Sequence, residues 1–263
     1  MIRIADLKVS VVGVLVAASA LAFTGGVASA APSTTYRCNG GEIPSGNYRS
    51  IVVAGPCAVG ADAVINVRGS ITVLRGAIFD AQSAPATINV GGSVTAFSGS
   101  MVGLGCQPPD YTGNSAHPCE IEPTGHSNIT IRRNVTIFGA VGVFLNGLEI
   151  GGNVTVLGGG SDIPWSIKNN TIHGNLTVAG QTEEWIGILF NRVDRNVTLL
   201  GITMTGLDDE TGTGTNPVFV VRNDMGRNLL CFWNDPGVTG YGNNISRHAL
   251  GQCAPLAGGG SPA

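Results

Sequence analysis

One tetrapeptide constrains this chain more than any other feature. Asn153-Val-Thr-Val156 is written again as Asn134-Val-Thr-Ile137, Asn175-Leu-Thr-Val178 and Asn196-Val-Thr-Leu199. Looser copies stand at Ser70-Ile-Thr-Val73, Ser93-Val-Thr-Ala96 and Asn228-Leu-Leu-Cys231. From Ser70 onward the steps between first residues are 23, 41, 19, 22, 21 and 32. Strand-forming residues in register at a period of roughly 20 indicate a solenoid, in which each repeat buries its inner face only against its neighbours.

Number the opening Asn or Ser of each copy zero. Positions +1 and +3 are apolar almost throughout, and +2 is Thr in six of the seven copies. Such alternation puts +1 and +3 on the inner face of a strand and Thr on the outer one. A second strand is predicted upstream, with Ile65/Val67, Ile88/Val90, Ile129/Ile131 and Leu148/Ile150 at −5 and −3. A third carries Val143/Leu145, Trp165/Ile167, Ile186/Ile188 and Val218/Val220 at −10 and −8. Three short strands per repeat, with Gly and Asn corners between them, describe a single-stranded parallel β-helix. About eight coils are expected, right-handed because crossovers between parallel strands nearly always are. The two long steps are read as corner insertions, a loop pinned at Cys106 and Cys119 and a polar loop at Asp208–Asn216.

Residues 1–30 read as a secretory signal: Arg3 and Lys8, an apolar run from Val9 to Phe23, then Ala28-Ser29-Ala30. The β-helix domain is expected over residues 31–257 and a disordered tail over 258–263. No later stretch is apolar enough for a membrane span. Setting aside Arg3, Lys8 and Asp6 leaves 12 basic against 16 acidic residues, a net charge of −4. With no basic block in the chain, nucleic acid is not an expected partner. Six cysteines in an exported chain read as disulfides, and proximity suggests Cys38–Cys57, Cys106–Cys119 and Cys231–Cys253. The last of these would fold the C-terminus over the open end of the solenoid. Neither paired Cys-x-x-Cys nor clustered His appears, so no metal and no cofactor is expected.

The ending Asn228-Leu-Leu-Cys231, Asn234-Asp-Pro, Gly242-Asn-Asn-Ile and Gly251-Gln-Cys253-Ala resembles a family of secreted actinobacterial β-helix proteins. That family shows a GNLxC strand, then GNxPxP and a closing GQCA. The opening Gly46-Asn-Tyr48, Val52-Val53 and Gly55-Pro-Cys57 is similar to the family's too. This chain departs from it in its two loops and in Asp235-Pro236, where the family often has two prolines. The family has no established activity, so the resemblance implies a shape and an extracellular address.

Candidate chemistry is sparse. Several Asn-x-Thr/Ser triplets fall inside the repeat, where stacked amides and hydroxyls are the simpler reading than glycosylation. Asn170, Asn191 and Asn223, all at −5, extend the same idea. An ice-binding face would want two Thr rows, and the chain offers one. His173 and Asp194 share position −2 in successive coils with Arg192 nearby, the best match to a catalytic group on a β-helix, yet no second carboxylate is expected to join them. Trp185, Phe144 and Phe219 are candidate platforms for sugar rings. The expected role is a non-catalytic exported structural or surface protein presenting a rigid face, with an extracellular glycan or surface component as partner. The alternative is a polysaccharide lyase or glycoside hydrolase on the same scaffold. The sequence leaves the oligomeric state open.

Overall fold

A computed structural model describes residues 34–207 and 214–258. Residues 1–33, which include the expected signal segment, residues 208–213 of the second insertion and residues 259–263 of the expected tail lie outside the described residues. The rest is a parallel β-helix. Its strands form three long sheets with only parallel pairing between successive coils.

The first sheet has ten strands among the described residues, from Thr35–Cys38 to Ala249–Gly251. The second has nine, from Gly41–Ile43 to Val238–Thr239, and the third nine, from Gly46–Tyr48 to Asn244–Ile245. Nine full coils and an opening tenth therefore stand where the motif suggests about eight. The surplus comes from the ends, since Thr35–Cys38 and Ala249–Gly251 pair in register with the repeat without carrying its motif. Coil five starts at Asn134, coil six at Asn153, coil seven at Asn175, coil eight at Asn196 and coil nine at Asn228.

The alternation lands as the motif dictates. Val154 and Val156 are fully buried, Thr155 between them is half-exposed, and Val156 stacks between Ile137 and Val178 of the adjacent coils. The second sheet's Val143, Leu145, Trp165, Ile167, Ile186, Ile188, Val218 and Val220 complete the core. The three disulfides join Cys38–Cys57, Cys106–Cys119 and Cys231–Cys253, with no cysteine left free. Such bonds belong to an oxidising environment. No helix among the described residues is long and apolar enough to cross a membrane.

Hydrophobic stacking is joined by two amide ladders. At position zero the Asn134 Oδ1 accepts the Asn153 backbone N–H at 2.8 Å, Asn153 accepts that of Asn175 at 2.8 Å, and the pattern continues through Asn196, Asn228 and His248. The Asn-x-Thr triplets that open at Asn134, Asn153, Asn175 and Asn196 thus build this ladder. A second ladder lies buried between the second and third sheets. Asn191 Oδ1 accepts the Asn170 backbone and side-chain N–H groups at 3.1 and 3.0 Å. Asn223 does the same for Asn191, and Asn243 for Asn223. Each rung is preceded by a residue in the left-handed conformation. Gly242 takes it freely, whereas Phe190 and Arg222, at φ 57° and 51°, are held there by the amide that follows.

Candidate binding face

Concave surface accumulates on one side of the solenoid, the outer face of the third sheet. Its outward row is in register from end to end: Asn47, Asn66, Asn89, Thr130, Glu149, Thr171, Arg192, Asp224, Asn244. Three concavities follow this row. The N-terminal one, about 610 Å³, has Asn47, Asn66 and Asn89 on its floor with Arg68 and Arg132 beside them. The middle one, about 260 Å³, holds Thr130, Glu149 and Thr171. The C-terminal one, about 300 Å³, is framed by Arg192, Asp194, Asp224, Asn244 and Ser246. The trough runs from amides and guanidinium groups to a half in which carboxylates enter.

The disulfide-pinned insertion forms a wall of the middle concavity. It leaves the second sheet after Leu104 and re-enters the third at Asn128. Gln107 and Tyr111 reach the trough, and Tyr111 stacks on His126 at 4.3 Å. Asn114 and Asn169 exchange amide hydrogen bonds of 2.8 and 3.0 Å, tying the loop to coil six. Lys168 donates to the Ser115 carbonyl at 3.2 Å. Burial lowers the affinity of both Lys168 and His117 for protons, and Lys168 adds to the effect on His117.

His173, Asp194 and Arg192 come together at the edge of this trough, but the group has a fourth member. His173 Nδ1 lies 2.7 Å from Asp194 Oδ2, and its Nε2 lies 2.5 Å from Glu149 Oε1. Arg192 Nε is 3.5 Å from Asp194 Oδ1. A second carboxylate therefore does join the pair. Glu149 sits at −4 while His173 sits at −2 one coil later, so the contact is diagonal and falls outside a comparison of like positions.

The ion bridge with Asp194, and then that with Glu149, holds the imidazole above its ordinary proton affinity. His173 holds Asp194 below the usual carboxylate range, with help from Arg192. All three side chains are open to solvent, at 44% exposure for His173, 50% for Glu149 and 37% for Asp194. This is an imidazole ring held between two carboxylates in water, a solvated bridge spanning three coils. No group of three or more His, Cys, Asp or Glu arranged to hold a metal occurs among the described residues.

The aromatic candidates lie elsewhere, on the outer face of the second sheet. Trp185 stacks on Phe219 at 5.6 Å and lies across Gly187, where a Cβ would meet the indole at 2.3 Å. Phe144 occupies the same outward row three coils before Phe219, beside Met101 and Asp80 in a separate hollow of about 200 Å³. The structure thus brings Trp185 and Phe219 together and leaves Phe144 apart from them. The second insertion lies between the strands Thr203–Met204 and Val218–Val221. No family model, no curated protein and no solved structure matches the chain.

Proposed function

We propose that the protein is an exported, non-catalytic binding scaffold whose trough along the third sheet takes an extended glycan. The observation that carries this reading is the alignment of three concavities on one face, walled at the middle by the cystine loop. Amides, hydroxyls and charged groups at each coil match the hydroxyl-rich edge of a sugar chain, and a rigid floor spares the ligand the ordering losses of an adaptable site. The secretory reading of residues 1–30 and the three disulfides support an extracellular setting.

Hydrolysis or elimination would need a desolvated base or a pair of carboxylates with separated proton affinities. His173 is exposed, and its bonds to Asp194 and Glu149 raise its affinity for a proton, which works against a role as a base.

The test is a glycan array followed by calorimetry on the mature protein. Binding that falls at least tenfold in Thr130→Glu/Thr171→Glu, which fills the trough floor, and persists in Thr155→Glu on the first sheet is expected. Equal affinity in both variants, or sugar ends released by the wild type and lost in His173→Ala, would overturn the reading.

A further inference from the structure

The corner where each third-sheet strand turns back into the first sheet carries a second constellation. At −1, one residue before each opening Asn or Ser, the turns that end coils two to six hold Gly69, Gly92, Arg133, Gly152 and Gly174 in succession. The next three turns hold Arg195, Arg227 and Arg247, all exposed. Their backbones are stacked in register, with Arg227 N–H donating to the Arg195 carbonyl at 3.1 Å and Arg247 N–H to that of Arg227 at 3.2 Å. The three guanidinium groups therefore start from points one coil apart, about 4.8 Å. Like charges at such spacing destabilise one another. Among the described residues no carboxylate comes within ion-pair distance of any of the three; the nearby Asp194 is engaged by His173 and Arg192.

We infer that this arginine ladder binds a linear anionic polysaccharide, one acidic group to each guanidinium, along the edge of the C-terminal concavity. The inference rests on the glycan reading above and narrows it to an acidic chain. The guanidinium origins lie one coil spacing apart, and the long flexible arginine side chains let each reach an acidic group of a linear chain laid along the corner. Asp224, Asn244 and Ser246 line the adjoining concavity and offer acceptors and amides to sugar hydroxyls, a mixture that a chain carrying both acid and alcohol groups satisfies. A polynucleotide fits less well. The mature segment has a net charge of −4, and no aromatic stacking platform lines this edge.

The experiment uses the mature protein and four probes: polygalacturonate, dextran sulfate, neutral dextran and duplex DNA, each titrated at several salt concentrations. Wild type is expected to bind polygalacturonate with an affinity that falls as salt rises. Arg195→Gln/Arg227→Gln/Arg247→Gln, all surface changes, should weaken it at least tenfold and flatten the salt dependence. Arg37→Gln/Arg75→Gln, at the other end of the solenoid, should leave it unchanged. Dextran sulfate bound in place of polygalacturonate, with the same loss in the triple variant, supports an anionic polysaccharide of sulfated type. Duplex DNA bound in preference to both acidic glycans overturns the assignment. So does polygalacturonate binding that ignores the triple substitution. A neutral dextran held in a salt-independent way, with no acidic glycan bound, overturns this inference and leaves the trough reading standing. Absence of every glycan removes both.

Discussion

Replacing Asn191 by Ala removes the central rung of the buried ladder. In the folded protein the Asn191 Oδ1 accepts the Asn170 backbone N–H and Nδ2–H, while its own Nδ2 donates to the Ile167 carbonyl at 2.8 Å and to Asn223 Oδ1 at 3.0 Å. Asn170, Asn191 and Asn223 are each about 1% exposed, so water does not take the lost partner's place. Each buried polar group left unpaired costs about 1–3 kcal/mol. With the Asn170 N–H groups and the Ile167 carbonyl orphaned together, the expected loss is about 3–5 kcal/mol. Asn175→Ala provides the comparison. Its Oδ1 accepts the Asn196 N–H groups at 3.2 and 3.1 Å, but both residues are half-exposed and water can substitute. That variant should lose about 0.5–1 kcal/mol. Urea unfolding followed by circular dichroism measures both. Losses within about 1 kcal/mol of each other would refute the idea that burial sets what a rung contributes.

Three further outcomes are expected. Val156→Asp places an unpaired carboxylate among Ile137 and Val178 and should destabilise by more than about 3 kcal/mol, whereas half-exposed Thr155→Asp should be mild; equal shifts in thermal melting would contradict the strand register. Glu183 is fully buried, one carboxylate oxygen has no partner, and burial raises its pKa to about 7. Because the folded value exceeds the unfolded one, its contribution is fully present below the ordinary carboxylate pKa and is lost as pH rises through about 7; Glu183→Gln should flatten the melting temperature between mildly acidic and mildly basic pH, and an unchanged slope would sink this assignment. Finally, the His173 imidazole should titrate above an ordinary histidine by NMR, and Asp194→Asn should lower it more than Glu149→Gln does, with no drop in either variant counting against the bridge.

The repeat was legible because its chemistry is local. Val154-Thr-Val156 states which way each side chain faces, and the Asn before it states where the corner is. Disulfide partners were legible for the same reason, since each pair spans one turn or one loop. What escaped the sequence involved a diagonal or an irregular step. Glu149 meets His173 across two different positions of neighbouring coils. Arg195, Arg227 and Arg247 stand 32 and 20 residues apart, so no basic run appears in the chain although the corner assembles one. The Asn243 rung was hidden because Gly242-Asn-Asn offers two amides and only the register selects the first. Trp185 and Phe219 could be placed outside the core, but their stacking depends on Gly187 leaving room between them.

The two ladders run in opposite senses. On the surface a later coil donates to the Asn of the coil before it, as Asn175 does to Asn153. In the buried row an earlier coil donates to the Asn of the coil after it, as Asn170 does to Asn191. Each turn thus offers the same pair of sockets upward that it fills below. A segment such as 175–195, cut from one Asn to the residue before the next, is an interchangeable tile. Copying it would lengthen the rod by one coil spacing and add a site to any polymer lying along it. Length, and with it the number of simultaneous grips on a ligand, is then a quantity that gene duplication can adjust in unit steps without redesigning a single corner.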